Sequence, residues 1–257
     1  MTYETITVAV NDQIATITLN RPGRLNAMGP HMADEISDAL DNVGGARTVL
    51  MTGEGRAFCS GADLTMRGGP TASGPYSALT QHYNPLMLKL SRLAIPVVCA
   101  VNGPAAGIGC SLALAADFVI AGQSAYFLQA FVNIGLVPDG GASWMLPRLI
   151  GKARATQMMM LGEKIGAEQA ADWGLIYQCV EDAVLMAEAK ALAARLAAGP
   201  TLALGIMRQN IAAADESDYA SALLREAEGQ RIAGSSADAM EGGMSFLQKR
   251  APMFTGK

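Results

Sequence analysis

Three stretches of this 257-residue chain hold residues whose types and spacing could do chemistry: TGEGRAFCSGADL at 52–64, NGPAAGIGCSLALA at 102–115, and the acidic turn GLVPDGG at 135–141. A glycine-rich loop that runs into a helix leaves backbone N–H groups without acceptors. Two such loops side by side would stabilise negative charge growing on a carbonyl oxygen. Turns of this composition also serve simply to relieve backbone strain. Gly107-Ile108-Gly109 is not a dinucleotide fingerprint, because the third glycine of that pattern would fall on Leu112, and neither loop ends in the Gly-Lys-Ser/Thr of a phosphate loop. Asp139 offers a carboxylate for proton transfer, although Pro-Asp-Gly is equally an ordinary turn. Cys59, Cys99, Cys110 and Cys179 include no C-x-x-C pair, and His31 and His82 are the only histidines. A metal site would need scattered ligands, so buried free thiols and structural histidines are expected, and no metal.

The elements that must position these residues follow from periodicity. Ile6, Val8 and Val10 share one strand face, Asn11-Asp12 makes a turn, and Ala15, Ile17 and Leu19 share a face of the returning strand. Pro30 opens a helix in which Met32, Ile36, Leu40 and Val43 recur at helical spacing before Gly44-Gly45 ends it. Each glycine-rich loop follows a short apolar strand, at 48–51 and 96–101, and between them Leu79, Tyr83, Leu86, Leu90 and Leu93 mark one helix face. Strands separated by helices favour a parallel α/β sheet with right-handed crossovers. Beyond about Gly162 the chain reads as helices, including 183–198 and 217–232.

Composition narrows the function. With 51% hydrophobic and 16% charged residues, no apolar run reaches the ~20 residues of a membrane span. The formal charge of −4 and the lack of a Lys/Arg block disfavour nucleic-acid and anionic-membrane partners. The opening MTYETITVAV has neither a secretory nor a transit pattern, so cytoplasmic residence is the expectation.

Six collinear segments then carry a resemblance that covers nearly the whole chain: NRPGRLNAM at 20–28, AFCSGADL at 57–64, VNGPAAGIGCSLALAADFVIA at 101–121, FLQAFVNIGLVPDGGASWMLPRLIG at 127–151, AADWGLI at 170–176 and SFLQKRAPMF at 245–254. The chain resembles the crotonase, or enoyl-CoA hydratase/isomerase, family. That resemblance implies a spiral core of ββα units over residues 1–195. A helical region at 196–257 would take part in oligomerisation, as a homotrimer or dimer of trimers, and would complete the coenzyme A site. It implies an acyl-CoA substrate and no cofactor beyond the coenzyme A moiety. The oxyanion hole would be the backbone N–H groups of Ala62 and Ile108. Arg24 would lie near phosphate, and Leu25, Ala27, Ser60, Ala62 and Leu64 along the adenine and pantetheine path. Phe246 and Lys249 match the family's C-terminal nucleotide contact. Read without the resemblance, Arg24 and Lys249 are ordinary surface charges and Phe246 an ordinary packing residue.

The resemblance also bears on the reaction. Family hydratases hold water with two glutamates, but here Ser111 and Phe131 stand at those positions. Asp139 stands where family isomerases carry their acid/base, which implies a single-carboxylate double-bond shift through an enolate. Phe131 should exclude water and raise the pKa of Asp139 by desolvation. The wording of residues 129–149 is most similar to the isomerases of phenylacetyl-CoA degradation, which rearrange a ring-epoxide thioester and also shift double bonds. The alternatives are a hydratase, a non-catalytic coenzyme A-binding protein, and an aryl-CoA dehalogenase or thioester hydrolase. The last would need a histidine near Asn84, and His82, two residues away, is read as facing solvent. Tyr76, Tyr83 and the stretch at 68–75 are expected to shape the acyl pocket.

Overall fold

The computed structural model describes residues 2–66, 74–214 and 216–257, and its first pairing is the one that alternation predicts. Strands β1 (Ile6–Asn11) and β2 (Ile14–Leu19) are antiparallel, with Ile6 opposite Leu19. The turn lies one residue later than expected. Asp12 and Gln13 carry φ of 49° and 63°, the left-handed geometry of a tight hairpin whose twist matches its strands. Ala15, Ile17 and Leu19 are buried, whereas on β1 only Ile6 is, because β1 is an edge strand.

Chain order then runs α1 (Pro30–Asp41), β3 (Thr48–Gly53), α2 (Gly74–Ala78), α3 (Asn84–Arg92), β4 (Val97–Val101), β5 (Ala105–Ala106), α4 (Ile108–Leu114), β6 (Phe118–Gly122) and β7 (Tyr126–Leu128). It continues through α5 (Ala142–Leu161), β8 (Ile165–Gly166), α6 (Ala167–Asp172), β9 (Gln178–Val180) and α7 (Leu185–Ala197). Helices α8 (Thr201–Ala214), α9 (Tyr219–Gly234) and α10 (Ala237–Leu247) follow. Helix α1 buries Met32, Ile36 and Leu40 on one face; Val43 lies just past its end.

The large sheet has the order β1-β2-β3-β4-β6-β9 and is parallel from β2 onward. Every residue of β3 and β4 is buried, since both sheet faces are covered. On one face α7 sets Leu185, Ala189 and Ala193 against Leu50, Val98, Ala100 and Ile120. On the other, Met51, Cys99 and Val101 join the main core with Met32, Ile36 and Leu112.

A smaller sheet, β5-β7-β8, is extended by two isolated bridges, Met28 with Ala62 and Cys59 with Ala105. Successive units of the chain therefore place one strand in the large sheet and one short extended segment in the small one. This is the expected spiral of ββα units, here a mixed α/β fold with a helical C-terminal region. The connections from the large sheet to the small one are the two glycine-rich loops.

The C-terminal helices dock through buried cations. Arg208 of α8 donates from Nε to both carboxylate oxygens of Asp117 at 2.7 Å and from Nη1 to the Leu93 carbonyl at 2.8 Å. Arg47 donates from Nε to Thr201 Oγ1 at 2.6 Å and from Nη1 to the Phe254 carbonyl at 3.1 Å, and it also reaches the Gly199 carbonyl. Asp238 closes the tail by accepting the Thr255 and Gly256 amides at 2.6 and 2.8 Å. Arg208 is buried, whereas Asp117 is solvent-accessible and keeps a bond from the Val97 amide, so removing the cation costs its charge-assisted hydrogen bonds rather than stranding a buried charge. Arg208→Ala should therefore lower the unfolding free energy by about 2 kcal/mol, read from the midpoint of a urea titration with an unchanged slope.

Candidate active site

The two glycine-rich loops meet. Gly107 has φ of 52°, a conformation that L side chains rarely adopt, and a Cβ built there would lie 3.7 Å from Gly61 Cα and 3.6 Å from the Phe131 ring. The neighbouring amides, those of Ala62 and Ile108, are thereby brought to adjoining segments. Ala62 pairs with Met28 as a parallel bridge: Met28 N–H donates to the Gly61 carbonyl and the Asp63 N–H donates to the Met28 carbonyl, each at 2.8 Å. In such a bridge the central residue's own N–H points to the opposite side. Neither the Ala62 nor the Ile108 N–H has an acceptor among the described residues.

A third loop packs onto these two. Gly140 has φ of 60°, and a Cβ there would come within 2.5 Å of Ile108 Cδ1 and 2.8 Å of Ser111 Cβ, so only glycine allows the loop this close. Ser111, wholly buried on α4, donates from Oγ to the Asp139 carbonyl at 2.9 Å. The position that looked like a missing acid is thus a brace for the acidic loop. Phe131 is also buried, against Gly107.

Two carboxylates near this junction differ in character. Asp63 accepts from the Thr65 hydroxyl at 2.6 Å and amide at 3.1 Å and pairs with Arg21 at 2.9 Å. Thr65 first, and Arg21 after it, hold its carboxyl below the usual range. Asp139 has a buried Oδ1 with no hydrogen-bond partner among the described residues, and burial raises its pKa to about 6. A carboxyl near neutrality can both take and return a proton at cellular pH.

A strip of chain beside Ala62 is laced by its own backbone. Ser60 N–H donates to the Leu25 carbonyl at 3.0 Å, and Ala27 N–H donates to the Arg24 carbonyl at 3.0 Å. Buried Asn26, with φ of 55°, accepts from the Arg21 amide at 2.8 Å and donates to the Glu54 and Ala57 carbonyls at 3.0 and 2.8 Å. Sequence reasoning passed over Asn26, although a left-handed Asn in a tight loop is a recognisable signal. Arg24, half-buried Leu25 and Ala27, Ser60 and exposed Leu64 line this strip, and Arg24 Nη1 donates to Thr65 Oγ1 at 3.1 Å.

Residues 9–257 match the family described as enoyl-CoA hydratase/isomerase. The chain belongs to this family. It is 45% identical to the 1,2-epoxyphenylacetyl-CoA isomerase of Escherichia coli over 96% of this chain and 97% of that one. It is also 45% identical over the full length of both chains to a Rhodobacter capsulatus protein named "Probable enoyl-CoA hydratase". The crystal structure of an enoyl-CoA hydratase from Bacillus anthracis superposes with a TM-score of 0.94 at 30% identity, covering 99% of this chain and 100% of that one. Crotonase-family hydratase/isomerase chemistry on an acyl-CoA substrate follows from this membership.

Within that crotonase framework the structure brings Ala62, Ile108, Phe131 and Asp139 to one junction, and Arg24, Leu25, Ala27, Ser60 and Leu64 to the adjoining strip. Phe246, 83% exposed at the end of α10, and Lys249 share no hydrogen bond or ion pair with that strip among the described residues. His82 does not simply face solvent as expected: its Nδ1 lies 2.8 Å from Asp34 Oδ1, because the turn bearing it packs on α1. Cys59, Cys99 and Cys110 are buried thiols, but Cys179, on the edge strand β9, is only partly so. Tyr83 is buried and Tyr76 is 77% exposed, while residues 68–73 of the expected pocket lie outside the described residues. Among the described residues, no His/Cys/Asp/Glu group could hold a metal and no helix is long and apolar enough to cross a membrane.

The pKa of Asp139 has a consequence for stability. Its folded value of about 6 lies above the unfolded value of 3.8, so between these pH values the folded state holds a proton that the unfolded chain has lost. Stability from this group is fully present below the unfolded value and is lost as pH rises through the folded one. Asp139→Asn should remove that loss. The variant should gain on the order of 2 kcal/mol over wild type at pH above 7 and nothing below pH 4, measured by urea unfolding at both pH values.

Proposed function

We propose that the chain is an acyl-CoA isomerase that moves a proton through an enolate, with Asp139 as its single acid/base. The observation that carries this reading is the buried Oδ1 of Asp139, which has a raised pKa and no partner among the described residues, on a loop packed against Ile108, whose amide, like that of Ala62, also lacks an acceptor among them. The α-proton of a thioester is weakly acidic, so removing it requires a placed base and relief of charge on the carbonyl oxygen. In this reading the N–H groups of Ala62 and Ile108 receive that oxygen. Losing one such donor costs on the order of 10²- to 10³-fold in rate, so the pair is a major contributor. Asp139 takes the proton from one carbon of the acyl group and returns it to another carbon of the same delocalised anion.

Hydration is the competing reading, favoured by the name of the Rhodobacter capsulatus relative. It requires carboxylates that orient water. Here Ser111 Oγ is engaged with the Asp139 carbonyl, and the buried Phe131 presents only a ring to the junction. The Escherichia coli relative is named for a ring-epoxide thioester, and we extend that substrate class to this chain, together with simpler enoyl-CoA thioesters. Coenzyme A would follow the strip of Arg24, Leu25, Ala27, Ser60 and Leu64. The exposed Phe246 and Lys249 of the C-terminal helices would contact the nucleotide bound by an adjacent subunit of a trimer or paired trimers, and no further cofactor is required.

A turnover panel of 3-hexenoyl-CoA, crotonyl-CoA and the epoxide of phenylacetyl-CoA tests the reading. Isomerisation should exceed crotonyl-CoA hydration, and Asp139→Asn should lower it by roughly 10²- to 10⁴-fold without loss of coenzyme A binding. Wild-type turnover by this variant, or fast crotonyl-CoA hydration, would sink it. With Asp139 acting as the base, kcat/KM should fall as pH drops below about 6 and level off above it, a limb that the Asn variant lacks.

A further inference from the structure

We propose that Tyr83 is a positioning residue for the reaction, whose hydroxyl holds the Met28 rung and so fixes the direction of the Ala62 amide. The proposal rests on the reading of that amide as one half of the oxyanion hole. Tyr83 is 5% exposed, and its hydroxyl donates to the Met28 carbonyl at 2.8 Å. That carbonyl also accepts the Asp63 N–H, while Met28 N–H donates to the Gly61 carbonyl. The bonds to Gly61 and Asp63 straddle Ala62 on one side of the rung, and the free Ala62 N–H leaves on the other. An external anchor on Met28 therefore restrains the twist of the segment that aims Ala62.

The local chain conformation points the same way. Tyr83 is the last residue of a π-helical turn, Leu79–Tyr83, between α2 and α3. A π-turn carries one residue more than an α-helical turn, is rare, and is frequent at functional sites. The adjacent His82 pins this turn to α1 through Asp34, with Nδ1 2.8 Å from Oδ1. Burial, with Asp139, Cys59 and Asp63 near enough to add to its effect, raises the pKa of the phenol. The hydroxyl thus stays protonated and keeps donating across the working pH range.

The test uses Tyr83→Phe, which keeps the buried ring and leaves Met28 its bond from Asp63, so the fold is retained. Butyryl-CoA carrying ¹³C at the thioester carbonyl is bound to each protein and its C=O stretch read by difference infrared spectroscopy. The wild-type protein should lower that frequency relative to free butyryl-CoA, and Tyr83→Phe should give back part of the shift. In turnover, kcat should fall roughly tenfold with KM within about twofold, the pattern of an interaction realised in the transition state. An unchanged carbonyl frequency with kcat within about twofold of wild type would overturn the role of Tyr83 alone. No carbonyl shift in the wild-type protein would instead overturn the oxyanion reading on which it rests.

Discussion

A backbone N–H without an acceptor in a protein interior is costly, on the order of 1–3 kcal/mol for a buried group, and folds normally pair such groups through secondary structure or water. At the junction of this spiral, two amides from segments 46 residues apart lack an acceptor among the described residues. The rest of the local architecture keeps them that way. Gly107 lets the second loop approach Gly61, Gly140 lets the third loop settle on Ile108, and the Met28 bridge turns Ala62 outward. A side chain at Gly140 would clash with Ile108 and Ser111, and one at Gly107 would strain a left-handed backbone, so either change would disturb the loops that hold the amides.

The same junction separates two acids that an unfolded chain would treat alike. Asp63 is hydrogen-bonded by Thr65 through Oδ1 and ion-paired with Arg21 through Oδ2, and acts as a fixed charge that ties residues 21–28 to the loop beyond Ala62. Asp139 has its main chain held by Ser111 while its carboxyl is largely buried, with Oδ1 lacking a hydrogen-bond partner among the described residues. The structure thus holds the backbone of the acidic turn through a buried hydroxyl and leaves its side chain free to exchange a proton. Rigid placement and an untied acid are what the proposed proton transfer requires, and different atoms of one residue offer them.

What could be read from the sequence divides along the range of the forces involved. Strands β1 to β4 and helix α1 follow from alternation and helical spacing, because burial on one face imposes a local period. The loops at Ala62 and Ile108 were legible as glycine-rich strand-to-helix turns, a composition that also serves only to relieve backbone strain, and the resemblance to the family, not the glycines, singled out their amides. The contacts of Ser111 and Tyr83 and the pairing of His82 with Asp34 were not. Each depends on a partner between 28 and 55 residues away, and no local pattern encodes such a contact. The hairpin turn was misplaced by one residue because Asp12-Gln13 carries none of the glycine that usually marks left-handed turns. Phe246 and Lys249 were named by resemblance alone, and within the single chain they stay on the surface.

Arg47 reaches Phe254 across 207 positions of sequence while also touching Gln13 and Thr201. One guanidinium therefore serves as a knot between the hairpin at the front of the chain and the tail at its back. Loss of this one cation would therefore release two distant parts of the chain at once, the hairpin through Gln13 and the tail through Phe254, so the two ends of the sequence are mechanically coupled through a single side chain.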